Sequence, residues 1–211
     1  MSDANVAEYS ILDRVFNIPL NGTVNSLRMG SYKTSHHGNE AEHALIYSGV
    51  IHAPEFPILL RINSACYTSD IFHSQSCDCN WQLKQAMDRI SIEGGLLIYH
   101  FHHEGKALGF THKLRMMQLL EEGSSGWETW LRQHYDTDTR RFYSTIKILQ
   151  DLGIQKVRLM TNNPRKREAL VRNGIDVVET IPIVTQAPEL RFYLTSKRHI
   201  LGHEIQFDHE I

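Results

Sequence analysis

Short apolar runs bounded by glycine and proline recur in the first half of the chain and predict β-strands. Two such runs are HALIYSG at 43–49 and FPILLRI at 56–62, and LLIYHF at 96–101 predicts a buried strand. The polar stretch SHHGNEAEH at 35–43 is typical of a loop or a hairpin tip. Residues 1–12 show no such pattern, and we expect a loose arm there.

The first helix pattern follows the cysteine-rich segment. Apolar residues recur at roughly helical spacing at Trp81, Leu83, Met87 and Ile90. Asn80 stands where an N-cap is expected, and EGG at 93–95 predicts the end of the helix.

Strand and helix patterns alternate from about position 95 to 183, which is typical of an α/β unit with right-handed crossovers. Gly123 and Gly153 end the two helices in the middle of this stretch. After position 101 the predicted elements are a helix over 111–122, a helix over 138–152, a strand over 156–161, a turn and helix over 162–174, and a strand over 176–183.

Composition and charge narrow the class of protein. The chain has 211 residues, 41% of them hydrophobic and 22% charged, which is ordinary for a globular protein. A net charge of -2 argues against a nucleic-acid binder that relies on bulk positive charge, although it allows a local cationic pocket for a small polyanion. No apolar run is long enough to span a membrane, and the start MSDANVAEYS is too polar for a signal peptide. We therefore expect a cytoplasmic protein without a membrane partner.

All three cysteines lie in one short window, SACYTSDIFHSQSCDCNWQLKQ at 64–85. Three thiolates can occupy three corners of a tetrahedral zinc site. Cys77 and Cys79 would bind from a tight turn entering a helix, and Cys66 from the end of the preceding strand. An open fourth position would make the zinc catalytic.

Two other interpretations of the cysteines remain open at this point. A fourth protein ligand would make the site structural, and His73, His102 and His103 are candidates for it. The three cysteines could also be buried without any connection between them.

Five segments in this order resemble the GTP cyclohydrolase II family: RINSACYTSD at 61–70, CDCNWQL at 77–83, EGKALG at 104–109, DTRRF at 138–142 and LMTNNPRK at 159–166. The resemblance covers about 15–205, and it implies a catalytic domain over 15–205 with an arm at 1–14 and a tail at 206–211. It also implies an α/β fold with a central mixed β-sheet flanked by helices, and commonly a homodimer.

The resemblance implies a reaction as well. A water activated by zinc attacks carbon 8 of GTP, the imidazole ring opens, and formate and pyrophosphate leave. By the same resemblance, Cys66, Cys77 and Cys79 hold one Zn²⁺, and Mg²⁺ accompanies the triphosphate. Arg140 matches an arginine proposed to attack the α-phosphate, and Asp138 matches its proton acceptor. Because guanidinium stays protonated, an electrostatic role for Arg140 is at least as plausible.

Other matched positions would contact the substrate. Arginine and lysine neutralise phosphates, and a carboxylate such as that of Glu104 can accept two N–H bonds from a guanine edge. The predicted substrate-binding residues are Arg61, Asn63, Ser64, Gln82, Glu104, Gly105, Lys106, Thr161 and Lys166.

The chain departs from the family pattern near these positions. Asn63 and Ala65 stand where the family has His and Glu, and Lys106 replaces an arginine and loses its bidentate fork. His102 and His103 replace an Arg-Gln pair, and they could approach the zinc or a phosphate, or be loop residues without a special partner.

Met117 stands where the family has a catalytic tyrosine, and methionine has no hydrogen-bond donor. Met117 could equally be a packing residue on its helix. We therefore hypothesise that ring opening survives while formate release is slow or absent, which would leave a formamidopyrimidine nucleotide. A paralogue acting on another purine or pyrimidine nucleotide, or a nucleotide-binding protein without turnover, are the alternatives.

Overall fold

The computed structural model of the protein describes residues 9–20, 25–51, 56–123, 128–129 and 142–208. Within these residues the strands are β1 (Tyr9–Leu20), β2 (Leu27–His36), β3 (Asn39–Ser48), β4 (Ile58–Ser64), β5 (Gly95–His100), β6 (Lys156–Met160) and β7 (Asp176–Ile181). They form one sheet in the order β1-β2-β3-β5-β4-β6-β7. From β1 to β5 the neighbours are antiparallel, and from β5 to β7 they are parallel.

The helices connect and cover the parallel half of this sheet. They are α1 (Tyr67–Asp70), α2 (Cys79–Glu93), α3 (Glu104–Ala107), α4 (Phe110–Glu122), α5 (Tyr143–Asp151), α6 (Pro164–Arg172) and α7 (Arg191–Leu201), with 3₁₀ turns at Phe101–His103 and Pro188–Leu190.

The central strands β4 and β5 are buried on both faces of the sheet, because alternate residues point to opposite sides and an apolar core covers each side. Leu60 and Ile98 belong to a core that includes Ile146 and Leu149 of α5. On the other side, Leu59 and Leu97 belong to a core that includes Ala86 and Ile90 of α2. The prediction of an α/β fold with a central mixed sheet flanked by helices is confirmed.

The N-terminal prediction is wrong in part. Residues 9–14, expected in a loose arm, belong to β1, which pairs with β2. Ile11 and Phe16 pack against the core, and this burial fixes the strand. The segment at 35–43, expected as a loop or a hairpin tip, is the tip of the hairpin between β2 and β3. His37 and Gly38, both at positive φ, make the turn, and the flanking residues belong to the two strands.

The N-cap predicted at Asn80 is also wrong. Asp78 is the N-cap and α2 begins at Cys79. The backbone N–H of Asn80 already lies inside the helix and donates to Oγ of Ser69 at 3.0 Å. The C-D-C segment therefore enters the helix two residues earlier than the pattern of polar residues indicates.

Candidate metal and nucleotide site

The three cysteines converge at the end of β4. Cys66 follows that strand, Cys77 lies in the turn before α2, and Cys79 is the first residue of α2. Their sulfur atoms all lie within 4.8 Å of one another. The sulfurs of Cys66 and Cys77 are 3.7 Å apart, close to the roughly 3.8 Å that tetrahedral zinc with Zn–S bonds of about 2.3 Å requires. The thiols are free, and their arrangement fits one metal ion.

This geometry decides between the interpretations of the cysteines. Three unconnected cysteines are excluded by the sulfur distances. Among the described residues, the group of possible metal ligands that contains these cysteines includes no histidine, so His73, His102 and His103 do not complete it.

A buried lysine lies beside the thiols. Lys113 of α4 lines the same pocket as Cys66 and Cys79. Burial acts to lower the pKa of Lys113, but the three sulfurs and Glu104 raise it above its usual range. Hydrogen bonds among the three thiols lower the pKa of Cys77 and raise the pKa values of Cys66 and Cys79, so that one proton-poor sulfur is shared by the group. A fixed ammonium group favours the thiolate form, which is the form that binds metals.

A polar pocket opens near the carboxyl ends of β4 and β6. Arg61 lies at its base, buried, and donates hydrogen bonds of 2.7 Å to Oε1 of Gln82 and 3.2 Å to the carbonyl of Met160. Burial lowers the pKa of Arg61 to about 10, so the guanidinium remains a cation at neutral pH. The lining residues are Arg61, Asn63, Ser64, Cys79, Gln82, Thr161, Asn162, Asn163, Lys166, Leu194, Lys197, His203 and Ile205.

The turn after β6 is fixed by its own side chains. Oγ1 of Thr161 accepts a hydrogen bond of 3.0 Å from the N–H of Asn163. Asn162 exchanges hydrogen bonds of 2.6 and 2.8 Å with the backbone of Ile183. Asn163 caps α6 by accepting from the N–H of Arg165, and Pro164 takes the first helical position, where no N–H is needed. The T-N-N-P segment therefore holds the start of α6 at the pocket.

Lys166 extends from α6 into this pocket. It is buried, and its Nζ donates a hydrogen bond of 2.7 Å to the carbonyl of Ile62. With Arg61 it places two buried cations on one polar pocket. Such an arrangement suits an anion, because buried charges are stable only when they find a counter-charge or hydrogen-bond partners.

A second pocket adjoins the first and is lined by two of the three cysteines, Cys66 and Cys79. It is lined by Ser64, Ala65, Cys66, Cys79, His103, Glu104, Gly105, Lys106, Lys113, Met116, Tyr193, Lys197, Leu201 and His203. Four of these residues, Ser64, Cys79, Lys197 and His203, also line the polar pocket. The two pockets thus form one continuous site with Cys79 at their junction.

The rim of the second pocket has an unusual backbone. Gly105, Lys106 and Ala107 have φ of 58°, 62° and 66°, in the left-handed region that costs energy for residues with a Cβ. The carboxylate of Glu104 accepts hydrogen bonds from the N–H groups of Gly105, at 2.7 Å, and Tyr67. Glu104 therefore holds this strained turn, in addition to any contact with a substrate.

The residues that depart from the family pattern have defined contacts in the structure. Asn63 accepts from Nε of Arg61 at 3.3 Å, and Ala65 is buried in the core around α2. Met116 lines the second pocket, whereas Met117 packs against the apolar cluster beside the thiols. His103 is buried, with its Nδ1 3.2 Å from Oγ of Ser64, so it is not an unpartnered loop residue.

Residues of α7 complete the site, and no sequence motif predicted them. Tyr193 and Lys197 line the second pocket, and Nζ of Lys197 lies 4.1 Å from the centre of the Tyr193 ring. Nζ of Lys197 is also 3.8 Å from the buried Oδ1 of Asp78. The amphipathic run RFYLTSKRHIL could have indicated a helix, but its contact with the thiols depends on tertiary packing.

Asp138 and Arg140 lie outside the described residues. Phe142, the last residue of their motif, has its ring centre 5.6 Å from that of His103 and 5.9 Å from Nζ of Lys166. The chain therefore returns to the site two residues after Arg140.

Three thiols that could hold a metal ion, beside a polar pocket with two buried cations, characterise an α/β protein whose site suits a metal ion and an anion. The chain belongs to the GTP cyclohydrolase II family, whose model matches residues 13–182. Within the described residues, no helix is long and apolar enough to cross a membrane.

The names of similar proteins are consistent with membership in this family. GTP cyclohydrolase-2 of Streptomyces coelicolor is 38% identical over 196 residues, covering 92% of this chain and 87% of the relative. GTP cyclohydrolase-2 of Teredinibacter turnerae is 38% identical over 172 residues, 81% of this chain and 86% of the relative. Riboflavin biosynthesis protein RibBA of Porphyromonas gingivalis is 41% identical over 169 residues, 79% of this chain, and the chain spans only 41% of that relative's length.

Proposed function

We propose that the chain is a zinc-dependent hydrolase that opens the imidazole ring of GTP and releases pyrophosphate. The observation that carries this proposal is the position of Cys79, which lines both the polar cationic pocket and the pocket around Glu104. A nucleotide lying across the two pockets would have its phosphates near the cations and its base near the metal ligands.

Some residues of the two pockets would bind the phosphates, and others would bind the base. Lys166 and Arg61 would neutralise the phosphates, with Mg²⁺ bridging phosphate oxygens as it commonly does. Glu104 and Gln82 would orient the base through hydrogen bonds. A zinc ion held by the three thiolates would supply Lewis acidity and lower the pKa of a water at the base.

The stopping point of the reaction is a separate part of the proposal. Pyrophosphate leaves when a water attacks the α-phosphorus and the bond to the β-phosphate breaks. On the base, ring opening adds one water across a C–N bond of the imidazole, and the formyl group stays on nitrogen as a formamide. Release of formate uses a second water and needs a proton for the leaving nitrogen. Because Met117 cannot donate a proton, we infer that the product is the formamidopyrimidine nucleotide.

The experiment incubates the purified zinc-loaded protein with GTP and Mg²⁺ and follows nucleotides by mass spectrometry, with formate assayed in the same sample. A formamide product without formate supports the whole proposal. Formate in equal amount to product supports ring opening and overturns the stopping point.

Unchanged GTP would overturn the proposed substrate. A panel of purine and pyrimidine nucleotides would then separate a related hydrolase from a binding protein without turnover. The Cys77→Ser variant is the control, because it removes one metal ligand and leaves Arg61 and Lys166 in place.

A further inference from the structure

Three histidines lie close together near the end of β5, on the side of that strand where β3 pairs with it. The loop with the three cysteines follows β4, on the opposite side of β5. His43 of β3 and His100 of β5 are directly paired in the sheet, and His102 lies in the turn that follows. Their ring nitrogens lie within 4.8 Å of one another. The segment YHFHHEGK at 99–106 supplies two of them.

The two strand histidines are oriented as metal ligands commonly are. Their Nδ1 atoms share one hydrogen bond of 2.8 Å, and a bound ion would take the place of its proton. On the far side of each ring, Nε2 of His43 lies 2.9 Å from Oγ1 of Thr34, and Nε2 of His100 lies 2.7 Å from Oγ1 of Thr145. A metal-binding imidazole usually donates its second N–H to such an oxygen, which leaves the first nitrogen with a lone pair for the ion.

The two strand histidines lie in the interior of the protein. His43 and His100 are fully buried, whereas His102 is exposed. An ion held by the three rings would therefore be shielded from solvent on the side of the two strands.

We propose that His43, His100 and His102 form a second metal site, for a divalent ion of the zinc type, separate from the thiol triad. Zinc bonds to nitrogen of about 2.0–2.1 Å separate ligand atoms by roughly 3.3 Å. The 2.8 Å between the two Nδ1 atoms would then widen by roughly half an ångström. His102, which is exposed, supplies the third ligand at the solvent side and gives the ion a route of entry.

An ion there would fix the turn that leads into the nucleotide site. His102 and His103 belong to the 3₁₀ turn that ends directly before Glu104. Tying His102 to β3 and β5 would hold Glu104 and the left-handed residues after it. The role is one of positioning, so its test does not depend on turnover.

The experiment measures metal content and affinity in the full chain. Metal is removed with a chelator, Zn²⁺ or Co²⁺ is titrated back, and bound metal is counted by mass spectrometry. We expect two ions per chain in the wild type. His102→Asn, at an exposed position that folding tolerates, should bind one ion and weaken the other by more than about 100-fold. His199→Asn, an exposed histidine of α7, is the matched control and should keep both.

Spectroscopy distinguishes the two sites. With Co²⁺, the thiolate charge-transfer bands should persist in His102→Asn and disappear in Cys77→Ser, which should keep one ion with nitrogen ligands only. His100→Gln should behave like His102→Asn if it folds. One ion per chain in the wild type, or two in His102→Asn with unchanged affinity, would overturn the proposal and leave the proposed function untouched.

Discussion

Oδ2 of Asp70 accepts a hydrogen bond of 3.0 Å from the backbone N–H of Cys66, and the N–H of Asp70 donates back to the carbonyl of Cys66 at 2.7 Å. The same carboxylate oxygen accepts from the hydroxyl of Tyr99 at 2.7 Å. Asp70 thereby ties the loop that carries one metal ligand to the central strand β5. Since a metal site depends on ligands that are already in position, Asp70 is a positioning residue for the thiol triad.

Replacing Asp70 with alanine should therefore weaken metal binding without removing a ligand. We expect the zinc affinity of the thiol site to fall about 10–100-fold, because Cys66 loses its reciprocal hydrogen bond. Competition with a chromophoric chelator measures the change. Asp88→Ala, which removes an exposed carboxylate of α2, is the control. Equal affinities of the two variants would refute the positioning role.

Lys166 and its neighbour Arg167 provide a matched test of the phosphate pocket. Both are cations of α6, but Lys166 is buried in the pocket and Arg167 is exposed. Lys166→Met should raise KM for GTP about 10–100-fold, since charged hydrogen bonds contribute about 1.5–3 kcal/mol. Arg167→Met should leave KM within about twofold. Steady-state kinetics at fixed ionic strength measures KM for GTP in each variant. Equal changes in KM for the two variants would show that Lys166 does not bind phosphate in the pocket.

The central strands and the first helices could be predicted from sequence because their apolar runs are dense and their ends carry glycine. β1 could not, because it is an edge strand in which most side chains are exposed and two irregularities break the alternation. Its strand character comes from pairing with β2, which is a long-range property.

The residues of the site can likewise be divided into those that the sequence predicted and those that it did not. The clustering of the three cysteines in one short window predicted that their sulfurs lie together, and the family resemblance pointed to the T-N-N-P segment, which lines the polar pocket. Lys197 and Tyr193 reach the thiols only because α7 packs over them, and the convergence of His43 with His100 depends on the register of β3 against β5. Neither relationship leaves a periodic signal in the sequence.

The adjacent residues Met116 and Met117 of α4 allow two effects to be tested separately: filling of the pocket and loss of the tyrosine hydroxyl. Met117→Tyr restores a phenol at the position that resembles the family's tyrosine, and formate should rise from near zero to about one per ring opened. Met116 lines the pocket and is only 7% exposed, so Met116→Tyr should overfill it and slow ring opening itself. Formate release by the wild type, or none by Met117→Tyr, would contradict this assignment.

Asn162 joins the ends of β6 and β7 by two hydrogen bonds to the backbone of Ile183, and it is buried. Asn162→Ala leaves a buried N–H and a buried carbonyl of Ile183 without these partners, and should lower the free energy of unfolding by about 2–4 kcal/mol. Asn173→Ala removes one hydrogen bond, of 2.8 Å to the carbonyl of Ala169, at a less buried helix end, and should cost about 1 kcal/mol or less. Urea unfolding of the metal-free proteins compares the two. A similar loss of unfolding free energy in both variants would show that the two hydrogen bonds of Asn162 add no more to stability than an ordinary hydrogen bond at a helix end.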